Sequence, residues 1–327
     1  MLSKINYPQL RKSHQIACTD YDLFNTFGNV FIINIRETLR TYLIIGIGLF
    51  ALSSASIFIR LADDIPSIVI AVYRLTIAGV FLAGATFKKG ESLYSFDASR
   101  ENRLILLAGV ALALHFVFWI ESLKLTTIAS SVALVYTLPI WAALFSRIFL
   151  KETLSQKQLI GVLSAVSGAA IIGFYGLHSG ESSFIGNLLA VAGGFMMAVN
   201  LTIGRVLRRS KSTIAYSGSV YLVAAFVVFI LTLVFSKPLT GYSNQMYILL
   251  IMIGIIPQLI GHTSFNWALK QRSATSVSVF MLGEPIGATL LGIFILSEIP
   301  VTGEIIGGLI LLIGLYLTSS NSGDQND

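Results

Sequence analysis

From Thr41 onward the chain alternates apolar stretches of about 20 residues with short polar breaks. A helix of that length crosses about 30 Å of hydrocarbon at about 1.5 Å per residue. The pattern predicts ten spans, at 41–61, 67–87, 103–123, 127–149, 157–176, 184–205, 215–235, 246–269, 274–296 and 301–319. The expected fold class is an all-α membrane protein with ten transmembrane helices. The joining loops are too short to hold a soluble catalytic domain. Residues 1–40 carry charged and polar side chains throughout, and their apolar pieces, such as Val30–Ile33, are too short for the core of a signal peptide. They read as a cytoplasmic N-terminal tail, and residues 320–327 as a polar C-terminal tail.

Composition supports lipid as the solvent. The chain is 55% hydrophobic and 12% charged, with a mean hydropathy of +0.80, about half the charge of a soluble protein. The net charge of +6 would suggest nucleic acid if it formed a patch, but its distribution argues otherwise. One side of the ten spans takes Lys4, Arg11, Lys12, Arg36, Arg40, Lys88, Lys89, Arg100, Arg103, Arg147, Lys151, Lys157, Arg205, Arg208, Arg209, Lys211, Lys270 and Arg272. The other takes Arg60, Lys124 and Lys237. Positive loops stay inside, so both termini are expected in the cytoplasm, at a plasma or inner membrane. The partners expected are the lipid bilayer and a small-molecule solute, with no nucleic acid and no cofactor. One cysteine, Cys18, excludes an internal disulfide and argues against a thiolate metal cluster.

The stretch 122–163 aligns without a gap on 268–309 at one constant offset. Lys124, Pro139, Glu152 and Gly161 meet Lys270, Pro285, Glu298 and Gly307. Leucine matches carry little weight in a membrane protein, whereas matched Lys, Pro and Glu mark an internal duplication. The unit holds five spans, at 41–176 and again at 184–319. Five is odd, so the second copy crosses in the opposite sense, giving two inverted repeats. A site between inverted repeats can face either side in turn, which suits a carrier.

The residues that carry this duplication also resemble a known family. "ALHFVFWIESLKLTTIASSVALVYTLPIWAALFSRIFLKETLSQKQLIG" and "GHTSFNWALKQRSATSVSVFMLGEPIGATLLGIFILSEIPVTGEIIGG" look like the two EamA domains of the drug/metabolite transporter superfamily, and "AVYRLTIAGVFLA" resembles that family's second helix. The resemblance covers roughly 41–319. It implies ten helices with both termini inside, and export of amino acids or other small metabolites.

Pro139 and Pro285 occupy equivalent places in spans 4 and 9. Each lacks an N–H and frees a carbonyl four residues earlier, at Val135 and Met281. Paired interruptions of this kind point to a midplane site. Glu284 sits at the second one, where the first copy has Leu138, and a carboxylate at the bilayer centre costs about 2.5–3.5 kcal/mol on insertion scales. Helix rise places Glu284 roughly 15 Å, His115 roughly 18 Å and Arg74 roughly 20 Å from the inner face, with Tyr136 near the same level. Arg74 and Glu284 either pair with each other or hold the two ends of an amino-acid-like solute. Trp119, His262 and Asn266 complete the candidate solute-binding set. Trp141, Trp267 and Tyr73 line the cavity or anchor at interfaces. Each polar residue also admits a structural role: Glu284 as a cap on freed backbone, Arg74 as a helix clasp, His115 as a packing histidine. Glu152 and Glu298 are expected to cap the helix that follows each. Gly283, Gly287, Gly292, Gly303 and Gly307 suit close helix approach.

The sequence holds no H-E-x-x-H, P-loop or G-x-S-x-G. With no ATP motif the carrier is secondary, by exchange, proton coupling or facilitated diffusion. The alternative is a membrane-embedded enzyme acting on a lipid or phosphorylated substrate. Its candidate group is Asp63–Asp64, a pair that could bind Mg²⁺ with a phosphate but reads far more readily as loop ahead of Pro66.

Overall fold

The computed structural model describes residues 39–94, 99–149, 155–178 and 183–319. Cys18, Glu152, both tails beyond these limits and the charges they carry lie outside the described residues. The chain divides into a unit of residues 1–44, helical where it is described, and a unit of residues 45–327, to which the contacts below belong.

Every element among the described residues is helical. Eight helices are long and apolar enough to cross a membrane: α1 (Leu39–Leu61), α2 (Ser67–Lys88), α3 (Ser99–Leu125), α4 (Ile128–Phe149), α5 (Gln156–His178), α6 (Phe184–Leu207), α7 (Thr213–Val234) and α8 (Asn244–Ala268). After α8 come a short helix α9a (Ala274–Phe280), a helix α9b (Gly283–Leu296) and α10 (Thr302–Ser319). The expected span at 274–296 is therefore interrupted. The chain turns at Met281–Leu282, where Glu284 N–H bonds back to the Met281 carbonyl at 2.9 Å. The carbonyl expected to be freed by Pro285 thus has a donor. α4 breaks in the same way, into α4a (Ile128–Val135) and α4b (Leu138–Phe149). Thr137 N–H and Ile140 N–H close three-residue turns there, at 3.1 and 3.0 Å.

Helix starts follow local chemistry. Thr127, Ser183, Ser212 and Ser243 each accept the N–H three residues on, opening α4a, α6, α7 and α8. Ser155 and Gln158 cap α5 reciprocally, at 3.2 and 2.8 Å. Glu304 makes the corresponding contact in α10, accepting Val301 N–H at 3.1 Å.

The helices with the most extensive mutual packing are α5 with α10, α3 with α6, and α2 with α7. Glycine sets the first of these. A Cβ on Gly168 would stand 2.5 Å from the Gly307 carbonyl oxygen, and one on Gly307 would stand 2.6 Å from the Gly168 oxygen. Only a residue without a Cβ lets the backbones meet. The polarity is inverted relative to a soluble protein. Phe81, Leu106, Phe226 and Phe294 face outward, while Arg74, Gln258, His262 and Glu284 are buried.

Two polar clusters join helix ends. In one, Lys124 Nζ donates to the Asp63 and Ile65 carbonyls, both at 2.6 Å, and Arg60 Nη2 donates to the Thr126 carbonyl at 2.9 Å. Asp63 is thus engaged with Lys124, 3.7 Å away. Glu298 does not cap the helix after it. Its carboxylate accepts the Ile128 N–H at 2.5 Å and lies 3.5 Å from Arg60, so it caps α4a, because the chain folds back over that helix start. The other cluster joins the end of α6 to the end of α8: Arg205 Nη1 donates to the Leu269 carbonyl at 2.9 Å, and Arg208 Nε to that of Asn266 at 3.0 Å.

Candidate functional site

The breaks in α4 and α9 meet. Tyr136, at the end of α4a, donates its hydroxyl to Glu284 Oε2, in the first turn of α9b. A helix N-terminus favours negative charge, which suits a carboxylate there. This bond connects the two interruptions that the prolines predict. The pair borders a small cavity, with about 20 Å³ open to the centre of a water molecule, room for about one water. His115, Trp119 and His262 line it with Tyr136 and Glu284, and Met197 and Met281 supply apolar wall.

α3 contributes a stacked pair. The His115 and Trp119 rings, one turn apart, lie 6.0 Å apart and nearly parallel. His115 Nδ1 is 2.9 Å from the Gly193 carbonyl oxygen, so it carries the proton and donates. Gly193 and Gly194 let α6 approach this closely. A Cβ on Gly194 would collide with the Val135 carbonyl oxygen at the α4 break.

α8 reaches the cavity through an irregular turn. Residues Gly254–His262, with Pro257 inside, form a π-helix, a rare geometry that recurs at functional sites. It presents Gln258 to Arg74 and His262 to Phe116, with 5.2 Å between the His262 and Phe116 rings. Arg74 is wholly buried. Its Nε donates to Gln258 Oε1 at 2.6 Å, and its guanidinium lies 4.1 Å over the Phe116 ring and 5.7 Å from that of Trp119. It is bound to no acidic side chain among the described residues, Glu284 included.

The structure therefore gathers His115, Trp119, Tyr136, His262 and Glu284 around one cavity, with Arg74 adjoining through Trp119. Asn266 stands apart, donating to Ser217 Oγ at 3.0 Å and Tyr221 OH at 3.2 Å, and so ties α8 to α7. Tyr73 bonds the Leu239 carbonyl, Trp141 packs on Phe195, and neither these nor Trp267 lines the cavity. Gln258 and Phe116 were not anticipated. The available signal for Gln258 was an amide one residue after a proline in the otherwise apolar run 248–261. Phe116 gave none, because its role depends on where Arg74 lies.

A family model matches residues 39–174 and again 184–320, and it is that of the EamA-like transporter family. The chain belongs to the EamA-like transporter family. It is accordingly an integral membrane protein of a family of transporters, not of enzymes, and the enzyme alternative is set aside. The chain is 26% identical over 292 residues to an uncharacterized transporter of Archaeoglobus fulgidus, covering 86% of this chain and 98% of that one. It is 24% identical over 249 residues to a probable terminal-alkyne amino-acid exporter of Streptantibioticus cattleyicolor, covering 75% and 81%. A solved structure superposes with a TM-score of 0.67 at 19% identity, over 86% of this chain and 97% of its own, which speaks to the fold alone.

Proposed function

We propose that this protein is a secondary transporter that exports a small polar metabolite, such as an amino acid, by alternating access between two inverted five-helix repeats. One observation carries the reading. The only carboxylate bonded at the cavity among the described residues, Glu284, is held by Tyr136, and the two sit on helix breaks in different matched segments. A relative motion of the segments must pass through that bond.

The packing supports the inversion. The contact of Gly168 with Gly307 has its counterpart in that of Gly314 with Gly161, as the duplication offset requires of a two-fold arrangement. α2 and α7, equivalent in the two segments, likewise pack on each other. The two end clusters fit opposite membrane faces, with Lys124 outside and Arg205 and Arg208 inside, both termini being cytoplasmic. Arg60 of α1 and Arg205 of α6 then act as related latches, each donating to carbonyls at the end of the third helix of its own segment. With both latches engaged and room for one water, the structure fits an occluded form.

In this reading Glu284 and Tyr136 exchange their mutual bond for one to solute or proton. His115, Trp119 and His262 line the passage, Arg74 receives the opposite charge, and Asn266 braces its inner side. The amino-acid assignment draws on this charge arrangement and on the named exporter among the relatives. The test is uptake into proteoliposomes against a panel of amino acids and metabolites, with and without a pH gradient. Saturable uptake that Glu284→Gln abolishes is expected. Transport and pH response unchanged in Glu284→Gln would refute the role of this group.

A further inference from the structure

The side of the cavity that adjoins Arg74 has a chemical bias. Arg74 Nη1 and Nη2 are buried without a hydrogen-bond partner. So are Gln258 Nε2 and Trp119 Nε1 beside them. Every one of these atoms is a donor. These four atoms offer no lone pair to an ammonium group or a metal cation, whereas a planar group that only accepts, with two oxygens spaced for a guanidinium edge, matches them.

Two features select which edge of Arg74 is free. The Phe116 ring covers its face at 4.1 Å. Gln258 Oε1 occupies its Nε at 2.6 Å. Of the two guanidinium edges that can bind a carboxylate through two parallel hydrogen bonds, the one through Nε is occupied and the Nη1–Nη2 edge remains. The protein's own nearby carboxylate does not fill it, because Glu284 is held by Tyr136.

We propose that Gln258 is a positioning residue that fixes Arg74 with this edge toward the cavity, and that the edge docks a carboxylate of the transported solute. The proposal rests on the transport reading above and adds the orientation of the solute. Its carboxylate lies between α2 and α8, and its other end lies toward Glu284 and Tyr136. An amide suits position 258, since it satisfies Nε without neutralising the guanidinium. A carboxylate there would bind Arg74 internally and compete with the solute.

The test is equilibrium binding to the purified full chain in lipid nanodiscs, followed by tryptophan fluorescence, for which Trp119 is the adjacent reporter. The probes are acetate, benzoate and 3-phenylpropanoate, each against its primary amide. Wild type is expected to bind at least one acid tenfold or more tighter than its amide. Gln258→Glu should reduce that preference below twofold while leaving amide binding within twofold. Gln258→Ala should weaken acid binding threefold or more with the amide unchanged, and it carries the test if Gln258→Glu does not fold. No acid preferred tenfold by wild type, or a preference undiminished in the folded Gln258 variants, overturns the proposal. Equal losses for acid and amide also overturn it, since a merely structural glutamine would act that way. Transport without acid preference sinks the dock and leaves the transport reading. Acid preference without transport of any panel solute sinks the transport reading and leaves the dock.

Discussion

Glu304 offers the most quantitative test of how the two matched segments hold each other. It is 5% exposed, and its Oε1 accepts from Thr127 Oγ1 and Ser130 Oγ, both at 2.8 Å, across 177 and 174 positions of sequence. Its Oε2 accepts Val301 N–H. A hydrogen bond to a charged group contributes about 1.5–3 kcal/mol net, and burial keeps solvent from screening it. Glu304→Ala removes two such bonds between segments but also relieves the desolvation of the carboxylate, so a loss of about 3 kcal/mol is expected. Glu304→Gln keeps an amide oxygen for the hydroxyls and should lose about 1–2 kcal/mol. Thr127→Val removes one bond to Glu304 and the N-cap of α4a, which alone contributes about 0.5–2 kcal/mol. The decisive quantity is the coupling in the double-mutant cycle of Thr127→Val with Glu304→Ala, expected at about 1.5–3 kcal/mol. Reversible unfolding in mixed dodecylmaltoside–SDS micelles, followed by circular dichroism, measures it. Coupling below about 0.5 kcal/mol, the ordinary error of additivity, would show that the carboxylate and the Thr127 hydroxyl act independently and that this bond does not clasp the segments.

Other outcomes follow from the same geometry. Gly307→Val places a branched side chain against the Gly168 backbone and should destabilise the protein by about 3 kcal/mol or more, beyond ordinary overpacking; an unchanged thermal midpoint would contradict the α5–α10 contact. Tyr136→Phe removes the donor to Glu284 and should slow transport at least tenfold while the protein stays folded; unchanged uptake in proteoliposomes would dissociate that bond from the transport step. In a Cys18→Ser background, Lys124→Cys and Lys270→Cys should react with an impermeant maleimide from opposite faces of intact cells or inverted vesicles. Labelling of both from one face would refute the inverted repeats. Relaxing the clasp with Glu304→Ala should speed maleimide labelling of Ala129→Cys, which lines the small cavity beside it; an unchanged rate would mean that the clasp does not govern access there.

Much of this architecture was legible because the bilayer simplifies the code. Apolar length alone located the eight helices, since lipid requires each span to satisfy its own backbone. Matched Lys, Pro and Glu at one offset pointed to the duplication because such residues are sparse in a chain this apolar and seldom coincide by chance. The two breaks were foreseen from Pro139 and Pro285, and Glu284 stood out because no partner existed for it within its own span.

What escaped was everything that depends on side-to-side neighbours. Glu298 was expected to serve the next helix in sequence, yet the fold delivers it to α4a, in the other matched segment. Asn266 has the same polarity and near depth as His262, one turn away, but the rotation of α8 hands it to Ser217 and Tyr221. That rotation is set within Gly254–His262, where Pro257 changes the hydrogen-bond register. A strict 3.6-residue period does not carry through such a segment, so facing cannot be projected across it. Arg74 shows the same limit from the other side. Sequence named the charge and its depth, and gave Glu284 as its natural counter-ion. Packing gave it a neutral amide and an aromatic face instead, leaving the cation uncompensated beside the cavity. A buried cation is tolerated in a membrane protein mainly where a partner or a pathway meets it. Here the protein withholds the partner.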